Sequence, residues 1–201
     1  MISVLDYGMG NIGSILNMFK WIGVEAKACN DLSSLESAEK LILPGVGAFD
    51  HAMSRIIELG LLEELNQKAL IEEIPILGIC LGMQLITRGS EEGKKKGLSW
   101  IPADAKSFPK PSGLKIPHMG WNTVTSSHKN PLSVGFDEQP RFYFVHSYAV
   151  FCDDPESSIF KTSYGVDFDS GIQKGNIFGV QFHPEKSHRY GAKLLSNFAN
   201  L

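Results

Sequence analysis

The sequence predicts an α/β fold: a single domain over residues 1–201, with a mostly parallel central sheet flanked by helices and an additional antiparallel strand region in the second half. In the first half, short apolar runs alternate with longer amphipathic patterns, as they do in βαβ units. From about residue 97 to residue 180, prolines and glycines separate short segments of alternating polarity, which is typical of hairpins and edge strands. There is no internal repeat and no linker, so we expect one domain with a substantial core.

Four apolar runs in the first half predict strands, and helical crossovers between them make these strands parallel. They are "ISVLD", "VEAKAC", "KLILPG" and "IPILGIC". Two segments have the period of a helix: "IGSILNMFKWIG", with Ile12, Ile15, Leu16, Phe19 and Ile22 on one face, and "AMSRIIELGLLEELNQKALIEE", which predicts one broken helix or two short ones. The later strand candidates are "RFYFVHSYAVF", "SSIFKTSYG" and "GIQKGNIFGVQF", before a closing helix, "HRYGAKLLSNFANL".

The composition excludes several classes of function. The net charge is −3 and no basic run exceeds Lys94–Lys96, so we expect no nucleic-acid binding. No apolar run approaches the roughly 18 residues that cross a bilayer, and no basic leader precedes the first strand, which predicts a cytoplasmic protein without a membrane partner. The three cysteines, Cys29, Cys80 and Cys152, are widely spaced and predict neither a disulfide framework nor a metal site.

The first strand runs into a glycine pattern. In "SVLDYGMGNIGS", Gly8, Gly10 and Gly13 have the G-x-G-x-x-G spacing of a dinucleotide-binding loop, and Asp31 follows Gly13 by eighteen residues. Such a fold keeps a ribose-binding carboxylate at about this distance. The glycine pattern alone is weak evidence, so the rest of the chain decides.

The segment "PILGICLGMQLI" predicts a nucleophile elbow around Cys80. A buried strand leads directly into a helix, and Gly78 and Gly82 leave room for the tight turn that exposes a nucleophile. The helix N-terminus favours the thiolate form of the cysteine, and the N–H of Leu81 points to where an oxyanion would form. Taken alone, Cys80 is also explained as a small buried residue at the end of a strand.

The segment "GVQFHPEKSH" supplies a base for this thiol. Pro184 holds the preceding residue in an extended conformation, and in extended chain residues i and i+2 project to the same side. His183 and Glu185 can therefore face one direction, with Glu185 orienting the imidazole and the second ring nitrogen reaching Cys80. On its own, "HPE" also fits a solvated surface turn.

A third segment, "LILPGVGAFD", ends a strand in a loop of small residues. Such a loop lets backbone amides approach a substrate closely. An oxyanion needs donors from two segments, so we expect Val46 and Gly47 to act with Leu81.

The segments "LPGVGAF", "GICLGMQ" and "FHPEKS" in this order resemble the triad (class I) glutamine amidotransferases. Together with "DYGMGN", "PHMGWN" and "YFVHSY", they make nearly the whole chain similar to the glutaminase subunits of imidazole glycerol phosphate synthases. The resemblance implies a Cys80–His183–Glu185 triad and a γ-glutamyl thioester on Cys80, with no cofactor. It also implies a heterodimer with a (β/α)₈ synthase subunit, which uses the ammonia to make imidazole glycerol phosphate and AICAR in histidine biosynthesis.

The same resemblance implies further roles by position. The residues expected to bind L-glutamine are Gly45, Gln84, Ser147 and Tyr148, and those expected at the partner interface are Asn11, Trp121, Tyr143 and Lys186. In the family "DYGMGN" faces the partner and no dinucleotide binds, which makes the match of Gly13 and Asp31 a coincidence. The alternative for Trp121 is packing in the core of this chain, as most tryptophans are largely buried.

Other functions remain open on the sequence alone. One is a paralogous subunit that delivers ammonia to a synthase-like partner in surface-sugar biosynthesis. A second is a hydrolase on the same elbow, either a γ-glutamyl hydrolase or a cysteine peptidase relative, although in the peptidase branch a histidine follows the nucleophile where this chain has Leu81. A third is an inactive binding subunit, against which the complete triad argues.

Overall fold

The computed structural model describes residues 1–109 and 114–201. In these two ranges the chain forms twelve strands. They are β1 (Ile2–Leu5), β2 (Ala26–Cys29), β3 (Leu41–Gly45), β4 (Ile76–Cys80), β5 (Ala103–Ser107), β6 (His118–Thr123), β7 (Thr125–Ser126), β8 (Arg141–His146), β9 (Tyr148–Cys152), β10 (Ser158–Ser163), β11 (Asp167–Lys174) and β12 (Ile177–Val180).

The same ranges contain six α-helices: α1 (Ile12–Trp21), α2 (Leu32–Glu36), α3 (Phe49–Glu58), α4 (Leu62–Asn66), α5 (Leu81–Leu85) and α6 (His188–Ala199). The long segment predicted as one broken helix or two short ones forms two helices, α3 and α4. A π-helical turn at Gln67–Ile71 follows. The side chain of Asn11 caps α1. No helix in the described part of the chain is long and apolar enough to cross a membrane.

The central sheet has ten strands, and its parallel part is larger than the sequence predicted. Strands β2, β1, β3, β4 and β12 lie side by side in that order, all parallel. The first four are the predicted strands of the first half, whereas β12 comes from the second half and returns to pair with β4. Both β3 and β4 are buried at every position, as expected for parallel strands that are covered on both faces.

The antiparallel region continues from β12 through β11, β10 and β7, with β9 and β5 pairing at the side. The predicted hairpin in "GIQKGNIFGVQF" is β11–β12. The segment "RFYFVHSYAVF" forms two strands, but they do not pair with each other: β8 pairs with β6 in a separate two-stranded sheet, and β9 pairs with β5 and β11. Ser147 alone separates them, and one residue is too short for a hairpin turn.

Candidate active site

The candidate site lies at the carboxyl ends of the central parallel strands. Strands β3 and β4 end side by side, so that Gly45 pairs with Cys80 in the register of the sheet. β12 pairs with the other side of β4 and leads to His183. Parallel α/β sheets place their ligand sites at this edge, and here the fold brings together three segments that are far apart in the sequence.

Cys80 occupies a strained turn between β4 and α5. Its backbone angles are φ 55° and ψ −108°. Residues other than glycine rarely adopt this conformation. The flanking glycines are required: a Cβ on Gly78 would lie 2.6 Å from the carbonyl oxygen of Gly82, and one on Gly82 would lie 1.8 Å from that of Leu43. The nucleophile elbow predicted from the spacing is present.

His183 and Glu185 face each other as their i, i+2 spacing predicts. Nδ1 of His183 lies 2.8 Å from Oε1 of Glu185, and the exposed fractions of the two side chains are 3% and 2%. Nε2 of His183 is buried and makes no hydrogen bond with the described residues. His183 and Cys80 line the same cleft, so this nitrogen is left for the thiol.

The charge state of His183 follows from its neighbours. Burial lowers the pKa of the imidazole, but the Cys80 sulfur and the Glu185 carboxylate favour the charged ring and together raise its pKa to about 10. A histidine held as an imidazolium at neutral pH can donate a proton to a leaving group.

The loop after β3 forms the opposite wall of the cleft. Val46 and Gly47 line it together with Leu81, as the oxyanion prediction requires. The hydroxyl of the buried Tyr7 donates to the carbonyl of Pro44 at 2.8 Å and holds the base of the loop. Gly47 has φ +96°, and a Cβ there would meet the methyl group of Met9 at 3.1 Å. The "DYGMGN" segment thus packs directly on the loop.

The cleft has a volume of about 310 Å³, at the small end of ligand sites, which suits a ligand of the size of one amino acid. Gln84, Ser147 and Tyr148 line it, as predicted for substrate contacts. Glu92, which the sequence reasoning missed, also lines it, and its Oε2 accepts a hydrogen bond from the N–H of Phe49 at the start of α3.

The predicted substrate contact of Gly45 stays a prediction. Gly45 is buried beside the elbow, where a Cβ would lie 2.8 Å from that of Leu81.

Three of the four predicted interface residues lie together. Trp121 and Tyr143 are opposite each other on β6 and β8, with ring centroids 6.2 Å apart. Nζ of Lys186 lies 5.7 Å from the centre of the Tyr143 ring. Trp121 is 41% exposed, so it is not a fully buried core residue. Asn11 is exposed at the start of α1, a helix that packs on the turn containing Lys186.

Asp31, the carboxylate of the apparent dinucleotide pattern, has a local role. Its side chain accepts a hydrogen bond from the N–H of Ser34 at 2.7 Å and caps α2. Gly13 lies in the first turn of α1. Among the described residues, no group of three or more histidine, cysteine or acidic side chains is arranged to hold a metal ion.

A buried pair of histidines, which the sequence reasoning did not single out, lies at the cleft: His146 lines it, and His118 lies directly next to His146. Nδ1 of His118 is 2.9 Å from Nε2 of His146, and Nδ1 of His146 is 2.8 Å from the carbonyl oxygen of Tyr148. Burial lowers the pKa of His118 to about 4 and that of His146 to about 3. The two histidines are 28 residues apart and meet only because β6 pairs with β8. No local pattern in the sequence predicts this pairing.

Comparison with known proteins agrees with this geometry. The family model described as "Glutamine amidotransferase class-I" matches residues 3–200. A solved structure described as a glutamine amidotransferase superposes with a TM-score of 0.75 over 100% of this chain and 99% of its own, at 17% sequence identity. At that identity the superposition shows the fold alone.

Two curated relatives are more similar in sequence, and both carry the name "Imidazole glycerol phosphate synthase subunit HisH 2". The protein from Methanococcus maripaludis is 54% identical over 198 residues, which are 98% of each chain. The protein from Pseudomonas aeruginosa is 47% identical over 201 residues, covering 100% of both chains. Matches of this extent, added to a family model that spans almost every residue, mean that the chain belongs to the class I glutamine amidotransferases.

Proposed function

We propose that the chain is a glutaminase subunit that hydrolyses L-glutamine to glutamate and ammonia, with Cys80 as nucleophile, His183 as acid and base, and Glu185 as the residue that orients His183. The observation that carries this proposal is the buried His183–Glu185 pair, 2.8 Å apart, in one cleft with an elbow cysteine. Nucleophile, base and orienting carboxylate are the three parts that activated-nucleophile chemistry needs.

In the first half-reaction, the Cys80 thiolate attacks the side-chain amide carbon of glutamine. A carbon–sulfur bond forms and negative charge develops on the amide oxygen, which the N–H groups of Leu81 and of the Val46–Gly47 segment stabilise. The carbon–nitrogen bond then breaks. Nε2 of His183 gives its proton to the departing nitrogen, so that ammonia leaves and a γ-glutamyl thioester remains.

In the second half-reaction, a water molecule attacks the thioester carbon and passes a proton to Nε2 of His183. The carbon–sulfur bond breaks, the thiolate is restored and the carboxyl product is released as glutamate. His183 returns to its charged form, which its raised pKa of about 10 favours. No metal or cofactor enters either step.

Glu92 adds a substrate contact to those predicted from the sequence. Its carboxylate lies in the cleft together with Gln84, Ser147 and Tyr148. Free glutamine carries an α-ammonium group, and a carboxylate in a partly enclosed site is its natural partner. A γ-glutamyl peptide carries this group as well, whereas an internal peptide glutamine does not, so Glu92 favours free or N-terminal glutamyl substrates.

The acceptor of the ammonia is proposed from the relatives. Two of them are named as subunits of imidazole glycerol phosphate synthase, and we infer a heterodimer with a (β/α)₈ synthase subunit that makes imidazole glycerol phosphate and AICAR in the cytoplasm. Trp121 and Lys186 are exposed beside the half-buried Tyr143. This cluster supports a partner at this face, because an aromatic and a cation on one patch are typical of interface hot spots.

A second candidate is a paralogous subunit that serves a synthase-like partner in surface-sugar biosynthesis. The number 2 in both relatives' names favours it, since such numbering indicates more than one copy of the subunit. The glutaminase chemistry is the same in both cases, and only the acceptor differs.

The loop at Gly47 suggests how the partner could control the reaction. A glycine-flanked peptide can present either its carbonyl or its N–H to the cleft, and Met9 of the "DYGMGN" segment touches this position. A partner bound on that segment would favour the orientation that donates to the oxyanion.

The test is glutamine hydrolysis by the chain alone and by its copurified native complex. We expect slow hydrolysis by the chain alone and fast hydrolysis by the complex with its acceptor, with ¹⁵N from the glutamine amide recovered in imidazole glycerol phosphate. Recovery of ¹⁵N in a sugar amidino group would favour the paralogous function. If the chain alone hydrolysed γ-glutamyl peptides as fast as glutamine, the result would favour a γ-glutamyl hydrolase.

A further inference from the structure

A chain of buried hydrogen bonds runs along the back of the cleft and ends on the nucleophile. The carbonyl oxygen of Tyr148 accepts from Nε2 of Gln84 at 3.2 Å, and the same nitrogen lies 3.2 Å from Oε1 of Gln181. Nε2 of Gln181 lies 3.8 Å from Sγ of Cys80. Gln181 is 0% exposed, and its main-chain N–H bonds to the carbonyl of Ser170 at 2.9 Å, so both its backbone and its side chain are fixed.

The backbone carbonyl of Tyr148 determines the donor and the acceptor in each hydrogen bond of this series. The oxygen of Tyr148 can only accept, so the amide atom of Gln84 that faces it must be the nitrogen. The atom of Gln181 that faces this nitrogen must then be the oxygen, and the Gln181 nitrogen is left facing Cys80. The assignment of both amides therefore follows from donor and acceptor chemistry.

The sulfur of Cys80 consequently has a buried N–H donor directed at it. The thiol can give its own proton to the carbonyl of Val145, 3.8 Å away, but the thiolate cannot. A donor at a buried anion stabilises it more than a neutral hydrogen bond stabilises a neutral pair. The Gln181 amide thus favours the thiolate over the thiol.

The same bonds determine what Gln84 offers to a substrate. Its two amide hydrogens are both used, one on Tyr148 and one on Gln181. Only its carbonyl oxygen remains, so Gln84 can accept a hydrogen bond in the cleft but cannot donate one. This orientation selects a ligand group that carries N–H, such as the amide or ammonium nitrogen of glutamine.

We propose that Gln181 is a positioning residue of the glutaminase reaction, which stabilises the Cys80 thiolate through its N–H and fixes Gln84 as an acceptor through its oxygen. The proposal rests on the assignment of Cys80 as the nucleophile. It gives Gln181 two separable effects, one on the thiolate and one on substrate recognition.

Two variants separate these effects. Gln181→Met keeps the length of the side chain and removes both bonds. Gln181→Glu keeps an oxygen for Gln84 but places no N–H and an additional negative charge beside the sulfur. The matched control is Gln173→Met, the same change on β11, where the side chain bonds to the carbonyl of Gly175 at the exposed end of a hairpin.

The first readout is the rate of Cys80 alkylation by iodoacetamide from pH 5 to pH 9.5, followed by peptide mass spectrometry on the chain. Both Gln181 variants should move the midpoint of the profile to higher pH and slow alkylation at pH 7 by about tenfold, the factor expected for one lost bond to a charged group. Protection of the fully buried Cys29 in the same digest shows that the variant is folded.

The second readout is glutamine hydrolysis by the native complex. Gln181→Met should raise KM by about tenfold and lower kcat, whereas Gln181→Glu should lower kcat and leave KM within about threefold, because Gln84 keeps its partner. Gln173→Met should change neither readout. An unshifted alkylation profile in both Gln181 variants would overturn the proposal, and if Gln181→Met does not fold, the Gln181→Glu profile alone decides.

Cys80→Ala, assayed in parallel, separates failure of the inference from failure of the proposed function. Glutamine hydrolysis by Cys80→Ala would refute the nucleophile assignment itself. An inactive Cys80→Ala with unaltered Gln181 variants would refute only the role of Gln181.

Discussion

The protein holds buried histidines of two kinds, which differ in charge at neutral pH: His183 is charged, whereas His118 and His146 are neutral. His183 is 2% exposed and its pKa is raised to about 10. His118 and His146 are 3% and 6% exposed, and their pKa values are lowered to about 4 and about 3. The groups are alike in residue type and in burial, so neither property decides whether a histidine is charged.

The difference comes from what each ring touches. Burial acts against the charged form in both groups, but the charged ring of His183 is favoured by a carboxylate 2.8 Å from Nδ1 and by the Cys80 sulfur. His146 instead faces a neutral carbonyl and a neutral imidazole. His183 can therefore give and take the protons of the proposed reaction, whereas His118 and His146 can only hold their hydrogen bonds while both rings stay neutral.

The largest expected effect comes from removing the thiol beside His183. Cys80→Ala should lower glutamine hydrolysis by at least about 10⁴-fold, as nucleophile deletions do in serine and cysteine triads. The assembled complex should still make product from added ammonium salts, because the proposed function assigns the acceptor chemistry to the synthase subunit. Loss of ammonia-dependent synthesis as well would contradict this division of labour.

Glu185→Gln should make the charge state of His183 more like that of the neutral pair His118 and His146. Without the carboxylate, the effect of burial is opposed by the Cys80 sulfur but no longer by Glu185, and the pKa of His183 should fall. His183→Ala should cost almost as much activity as Cys80→Ala, whereas Glu185→Gln should cost about 100-fold less than either, as for the orienting carboxylate of other triads. The check is kcat for glutamine in the complex, and equal losses at all three positions would count against the assigned roles.

The neutral pair predicts a loss of stability in acid. Because the pKa values of His118 and His146 in the folded state lie below the 6.5 of an exposed histidine, the unfolded chain binds more protons below that pH. The stability that the neutral pair contributes is complete above about pH 6.5 and is lost as the pH falls towards 4. We expect the free energy of unfolding to drop by about 2 to 4 kcal/mol between pH 7 and pH 5.

Urea titrations at several pH values measure this loss. The double variant H118N/H146Q should reduce the pH dependence, and His128→Gln, a change at an exposed histidine, should not. A double variant with the same pH dependence as the parent chain would show that other groups take up the protons.

Substitutions at the proposed interface should have the smallest effect on the stability of the free chain. Trp121→Ala should weaken binding to the synthase subunit by about 30-fold or more and Lys186→Ala by about tenfold, in the range of interface hot spots. Both side chains lie at the surface, so the melting temperature of the free chain should change by no more than about 2 °C. Titration calorimetry against the partner measures the first quantity. Intact affinity and activation, with a large loss of stability, would place these residues in the core.

The sequence was sufficient for the parts of the site that depend on local geometry. The elbow at Cys80 needs glycines two residues before and after it, and the pairing of His183 with Glu185 needs only an extended backbone before Pro184. Both features depend on residues that lie within a few positions of each other in the sequence. The four parallel strands of the first half were also predictable, because their crossovers leave a visible helical period.

The features that the sequence did not reveal depend on contacts between distant segments. β12 joins the parallel strands only because the chain returns to β4, and no local pattern records that return. Glu92 lines the cleft and Gln181 lies buried behind it beside Cys80, although their segments are about 90 residues apart. The pairing of His118 with His146 requires β6 and β8 to meet. In each case the residue type alone fits an ordinary buried or capping role.

If neighbours and not burial set the charge of these histidines, ¹⁵N NMR of the imidazole rings at pH 7.5 shows it directly. We expect His183 to be protonated on both nitrogens, and His118 and His146 each to carry one proton, on Nδ1. A neutral His183 that titrates near pH 6.5, or a charged His118–His146 pair, would contradict it.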